Sequence, residues 1–365
     1  MKTVRMERSI VASPIRFLIA AGILLVLLTG TAVAQIPTYP WAISTPEEQG
    51  MNAELLDAML AHIEETQPDI HSITIIRNGQ MVFDAYFEND DFGRNALHPV
   101  CSCTKSVMGL LIGIAIENGF IESVDVPVLG FFPDRTFEQM TSTKERMTLE
   151  HLLTMSAGFA CFDDTSDEAL ETFAESRDRI QYLLDQPMRF TPGLHFVYCN
   201  GMSYLLSAIL TIATDMSAAN FAYEHLFRPL GIINTLWGAD GWGGFNLGHT
   251  DLYLRPHDMA KIGQLCLNEG RWDGKQVVPT DWIAASTSRQ INAGNGAGGV
   301  GDTSGYGYQW WVDPSGYYFA FGLAAQFIYV LPAQDMVVVF TCKLFDEGQA
   351  IPGRLLHEYI IPAAG

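Results

Sequence analysis

Two apolar, β-branched runs, Ser72-Ile73-Thr74-Ile75-Ile76-Arg77 and Gln80-Met81-Val82-Phe83-Asp84-Ala85-Tyr86-Phe87, flank Asn78-Gly79. Asn-Gly accepts the positive φ of a tight turn, so the pattern predicts a β-hairpin. From Ser102 to about Ile283 the apolar spacing becomes helical, with Gly and Pro as punctuation; Glu150–Met155, Gly201–Ala213 and Pro256–Leu267 are the plainest stretches. After the glycine-rich Ala293–Gly301, strand-like runs return at Gly307–Val312, Tyr317–Phe321, Gln326–Leu331 and Met336–Cys342. A last helix is predicted near Gln349–Tyr359.

Strands at both ends and helices between them predict an α+β fold: one antiparallel sheet built from both termini, flanked by helices, with an inserted helical subdomain. The sheet part takes about residues 40–100 and 302–363, the helical part about 101–301, within one domain over 35–363. A cleft is expected at the seam between them. The glycine-rich stretch lacks the Lys-Ser/Thr ending of a phosphate loop and reads as a connector.

Residues 1–34 change the picture of where the chain works. Lys2, Arg5, Arg8 and Arg16 precede and border the apolar run Phe17–Leu28, which ends at Thr31-Ala32-Val33-Ala34, the layout of a secretory signal with a small-residue cleavage site. Export, to the periplasm or beyond, is expected. The run is short for a membrane anchor, and a membrane is a partner only if the segment stays attached. The formal net charge of −20, with no basic block, argues against nucleic acid as a partner.

Chemistry enters at Cys101-Ser102-Cys103-Thr104-Lys105-Ser106, which opens the apolar helical run Val107–Ile116. Residues i and i+3 share a helix face, so the Lys105 ammonium can reach the Ser102 hydroxyl near the electropositive helix start. Ser102 is therefore a candidate nucleophile. Further on, Phe190-Thr191-Pro192-Gly193-Leu194-His195-Phe196-Val197-Tyr198-Cys199-Asn200 precedes another apolar helix, and in an extended segment Tyr198 and Asn200 project to one side. The histidines His98, His151, His195, His249 and His257 show no metal-ligand spacing. Of the six cysteines, at 101, 103, 161, 199, 266 and 342, most read as buried thiols; Cys103 and Cys199, beside candidate catalytic residues, form the candidate pair.

Ser-x-x-Lys, then Pro-Gly-x-x-Phe-x-Tyr-x-Asn, then a late strand with Phe321-Gly322-Leu323-Ala324-Ala325-Gln326 resembles the serine hydrolases of the β-lactamase and penicillin-binding-protein superfamily. Leu149–Phe159, Leu226–Ile232, Arg255–Ala260 and Tyr306–Trp311 extend the likeness over nearly all of the chain beyond residue 34, closest to the class C branch with its esterases, D-aminopeptidases and a 6-aminohexanoate-oligomer hydrolase. The resemblance implies an acyl-enzyme on Ser102, with Lys105 and Tyr198 handling its proton. Asn200 would hold Lys105 and the substrate amide. Two backbone N–H groups, those of Ser102 and Gln326, would form the oxyanion hole. It also implies that Trp310 and Trp311 line the cleft.

Lys and Tyr ionise near 10.4 and 10, so neither is a base at neutral pH without help, whereas a neighbouring pair can exchange a proton. The chain departs from the resemblance at the third motif. Relatives carry Lys or His, a small residue, then Gly, whereas Leu323-Ala324-Ala325 offers no cation for a substrate carboxylate. Small neutral esters or amides are thus the expected substrates, with weak β-lactamase activity and no cofactor. The alternatives are a D-amino-acid peptidase or β-lactamase and, in another class, a silent ligand-binding homologue.

Overall fold

The computed structural model describes residues 4–5, 41–87, 93–161, 167–242, 244–294 and 304–365. The predicted hairpin forms between strand β1 (Ile70–Arg77) and strand β2 (Gln80–Phe87). Asn78 and Gly79 make the turn with φ of 50° and 72°, the left-handed conformation for which Asn-Gly is suited. Ahead of it lies a helix that the sequence reading missed, α1 (Ala53–Thr66). Asn52 caps it by accepting from the Glu54 N–H at 2.9 Å. Leu56, Met59, Leu60 and Ile63 form its buried stripe at helical spacing.

Helix α2 (Cys103–Glu117) runs through the centre of the molecule, buried from Cys103 to Ala115, as befits a helix apolar on every side. Its two glycines permit close approach. A Cβ on Gly109 would lie 2.6 Å from the Tyr308 carbonyl oxygen, and one on Gly113 would lie 2.3 Å from the Trp282 ring. Helix α3 (Asn200–Thr214) packs against α2, and helix α4 (Pro256–Leu267) begins with Pro in its first turn.

The C-terminal strands β3 (Tyr318–Gly322), β4 (Gln326–Leu331) and β5 (Met336–Cys342) follow in antiparallel order, and β5 pairs with β1, Val339 opposite Thr74. Among the described residues, the two ends of the chain therefore close one nine-stranded sheet, with Val4–Arg5 at one edge and Ile291–Asn292 at the other. Alternation along β4 divides its faces. Ile328 meets α4, where a Cβ on Gly263 would stand 2.8 Å from it, while the Tyr329 hydroxyl faces Gly353 of the terminal helix Ile351–Leu355. On that second side the backbone N–H at the α1 cap, Asn52, donates to Ala363 O at 2.8 Å.

The α+β architecture is thus as expected, with two corrections to how its parts are drawn. Helix α4 belongs by sequence to the inserted part, yet it packs on β1, β4 and β5 and covers the sheet. The insertion also contains strands: Leu236–Trp237 and Leu252–Leu254 join His98–Pro99 in a second, three-stranded sheet. The expected signal, apart from Val4–Arg5, and most of the glycine-rich stretch lie outside the described residues.

Candidate active site

The second sheet delivers Ser102. His98–Pro99 pairs with Leu252–Leu254, and the Val100 N–H continues the ladder to Leu252 O at 2.9 Å. Cys101 then turns the chain in a left-handed conformation, φ 49°, with its carbonyl accepting from Thr104 Oγ1 at 2.6 Å. Ser102 follows at the N-cap of α2, where the helix end favours developing negative charge. The thiols beside it are poor rivals: burial pushes both Cys101 and Cys103 up, with Lys105 a lesser opposing influence, so neither is a ready thiolate.

Lys105 is the hub. It is buried, and its Nζ contacts Ser102 Oγ at 2.9 Å, Asn200 Oδ1 at 2.7 Å and the His249 carbonyl oxygen at 2.8 Å. The ring of Tyr198 lies against it, centroid 4.9 Å from Nζ, and stacks in turn on Trp311 at 5.8 Å. The chemistry of these contacts is instructive. The oxygens of Asn200 and His249 only accept here, so they take two N–H groups of Lys105. The third direction, toward Ser102, holds an N–H in the ammonium and a lone pair in the neutral amine. A proton can therefore pass along the 2.9 Å contact without moving the bonds to Asn200 and His249. The His249 ring is held neutral, well below its ordinary range, by burial and then by the Lys105 charge.

Four sequence-predicted residues, Ser102, Lys105, Tyr198 and Asn200, thus meet in one place. The predicted Cys103–Cys199 pairing does not occur. Cys199 is bonded to Cys161, with Cα atoms 5.9 Å apart, while Cys103 Sγ donates to Gln326 O at 3.4 Å. The reason is alternation: Cys199 is extended, φ −146°, so with Tyr198 and Asn200 turned toward Lys105 its own side chain points away from α2.

The third motif also shifts. The strand residue that approaches Ser102 is Gly322, where a Cβ would sit 2.3 Å from Val100 O and 3.1 Å from Ser102 N. That is the close approach a motif glycine serves, and it occurs at Gly322 and not at Ala325. Ala325 is fully buried, and Gln326 is a brace within the sheet: its Nε2 donates to Cys342 O at 2.6 Å and its Oε1 accepts from Cys342 N at 3.3 Å. Neither side chain is available to a substrate. Leu323, directly after Gly322, is 57% exposed. Of the two tryptophans expected in the cleft wall, Trp311 backs Tyr198, whereas Trp310 is fully buried.

Sequence reasoning missed the His249 carbonyl, which has no side-chain signature, and Gln309. Gln309 fastens the site's elements together: its carbonyl accepts from Ser106 on α2, its Oε1 from Ser203 on α3, and its Nε2 donates to Leu153 O at 2.8 Å.

The beta-lactamase family model matches residues 61–357. A 6-aminohexanoate-dimer hydrolase of Paenarthrobacter ureafaciens is 22% identical over 319 residues, 81% of this chain and 79% of that protein. Among solved structures, a candidate 6-aminohexanoate-dimer hydrolase from Bacillus anthracis superposes with a TM-score of 0.70 at 21% identity, covering 90% of this chain and 88% of its own. A family VIII carboxylesterase does so with a TM-score of 0.67 at 14% identity, covering 88% and 98%. With its mixed fold and antiparallel sheet, this chain belongs to the beta-lactamase family, within the serine hydrolase superfamily.

Proposed function

We propose that this protein hydrolyses small neutral esters or amides through an acyl-enzyme on Ser102. The observation that carries the reading is the buried Lys105 Nζ set 2.9 Å from Ser102 Oγ and also bonded to the Asn200 Oδ1 and His249 carbonyl oxygens. Lys105, with Tyr198 beside it, takes the Ser102 proton as Oγ attacks the substrate carbonyl, and the pair returns that proton to the leaving group. Water then repeats the sequence on the acyl-enzyme. Asn200 holds Lys105 and receives the substrate amide.

The tetrahedral oxygen takes its charge stabilisation from backbone N–H groups, each contributing roughly 3 kcal/mol. One belongs to Ser102. The Gly322 contact with Ser102 N supports assigning the other to Leu323 in place of Gln326, which lies three residues further along.

The names of the relatives, a 6-aminohexanoate-dimer hydrolase and a carboxylesterase, fit the ester-or-amide part of this reading. Where relatives bear Lys or His two residues before the motif glycine, the register on Gly322 puts Ala320, fully buried. Leu323 at the rim is equally uncharged. Substrates that depend on carboxylate capture, penicillins and peptides ending in D-Ala, are thus poor ones. We also propose export, supported by the Cys161–Cys199 disulfide, since such bonds persist in oxidising compartments.

Assay of the chain from residue 35 onward with p-nitrophenyl butyrate, beside Ser102→Ala and a parallel nitrocefin assay, tests the reading. Ester turnover lost in Ser102→Ala and a far slower nitrocefin rate are expected. Turnover unaffected by Ser102→Ala would remove the assigned nucleophile, and nitrocefin turnover matching the ester would remove the substrate preference.

A further inference from the structure

The Cys161–Cys199 bond falls inside the catalytic segment, between Tyr198 and Asn200. Both half-cystines are buried, Cys161 at 1% and Cys199 at 0% exposure. Around the bond, residues 155–160 and 187–197 run side by side, tied by Arg189 N to Gly158 O, Ala160 N to Pro187 O, Gly193 N to Ser156 O and Val197 N to Met155 O, all at 2.8–2.9 Å. The disulfide adds a covalent tie just past Tyr198, at the point where the chain leaves this pairing and enters α3.

We infer that the Cys161–Cys199 disulfide is a positioning element for catalysis, holding Tyr198 and Asn200 in register on Lys105, so that the protein becomes a competent acyl-transfer catalyst only once this bond has formed. The inference rests on the proposed role of Tyr198 and Asn200. Three features support it. The side chains on either side of Cys199 each contact the Lys105 ammonium, Asn200 at 2.7 Å and Tyr198 through its ring face. The alternation that turns those two inward turns Cys199 outward, so a tether at 199 fixes the orientation of both without occupying the cleft. The tether's far end, Cys161, is itself anchored, because Phe159 bridges Met188 and Ala160 bonds Pro187.

The bond's burial argues against ready reduction in the folded protein, so the role is one of maturation. Two cysteine thiols give up two protons and two electrons to an exchanging disulfide, which is reduced to a dithiol. Catalysis is then switched on where such exchange is available.

The test compares wild type with the double variant Cys161→Ser/Cys199→Ser and with Cys161→Val/Cys199→Val, which keeps the pocket apolar, each assayed with p-nitrophenyl butyrate below its melting midpoint. The expected result is a fall in kcat of about 100-fold, the scale of a misplacement near 1 Å, with KM within about twofold. Lys105 and Tyr198 are proposed to share the Ser102 proton, so parting them also displaces the acid limb of the kcat profile. A second arm refolds wild type with and without a dithiol reductant, where activity should track disulfide content while far-ultraviolet ellipticity is regained in both. Wild-type kcat and an unmoved pH profile in a folded disulfide-free protein, from either arm, would overturn the inference. Absence of Ser102-dependent turnover in oxidised wild type would instead overturn the reading on which it rests.

Discussion

At the scale of single residues, the site is governed by how little room separates Ser102 from the sheet. Gly322 stands where any side chain would press on Val100 O and Ser102 N, both of them backbone atoms with nowhere to go. Gly322→Ala is therefore expected to lower kcat on p-nitrophenyl butyrate by about 100-fold by shifting Ser102. Retention of wild-type kcat in that variant would show that the strand does not set the serine's position. The i,i+3 and i,i+2 spacings let Ser102 share a face with Lys105 and Tyr198 with Asn200, but only the resemblance to the serine hydrolases joined the two pairs in one site. The register of the third motif was not legible in the sequence. Several small residues, Gly322, Ala324 and Ala325, follow one another there, and only the contact at Gly322 distinguishes the one that approaches Ser102.

Among the elements, those with a strong period or a marked turn were read most accurately. Helix α4 has the predicted limits, Pro256–Leu267, and β4 and β5 match the predicted runs, because proline fixes a helix start and unbroken apolar runs leave little choice of strand. Helix α1 escaped notice although its stripe is regular, since Glu and His crowd its exposed face. The short strands Leu236–Trp237 and Leu252–Leu254 are two and three residues long and have no period to detect; pairing with His98–Pro99 alone defines them. The disulfide was misjudged for a related reason. Adjacency in sequence to catalytic residues does not mean adjacency in space when alternate residues face opposite ways. Closing the 38-residue separation between Cys161 and Cys199 contributes roughly 4 kcal/mol by chain entropy, which is why kinetic and pH readouts, and not stability, separate a positioning role from a structural one.

For the molecule as a whole, the order strands, helices, strands in the sequence was enough to give a sheet closed by both termini, while the layering of α4 onto that sheet depended on tertiary contacts such as Gly263 against Val337. A global property follows from the second sheet, where the buried His98 is held at about 4, by burial first and by neighbouring His71 second. An unfolded histidine titrates near 6.5, so between those values the unfolded chain binds a proton that the folded one refuses. Stability thus falls as pH drops from about 6.5 to 4, by roughly 3 kcal/mol over the window. Denaturant midpoints measured across it should decline, and more steeply in wild type than in His98→Gln. Equal slopes in the two proteins would assign the acid sensitivity to other groups.

The central step of the proposed function is transfer of an acyl group to Ser102 Oγ under the control of Lys105. The most direct measurement is tandem mass spectrometry of the protein acid-quenched during turnover of p-nitrophenyl butyrate. A butyryl group is expected on Ser102, absent from Ser102→Ala and accumulating further when Tyr198→Phe slows its removal. Rapid turnover with the acyl group found on another residue, or on none in any variant, would contradict the proposed role of Ser102.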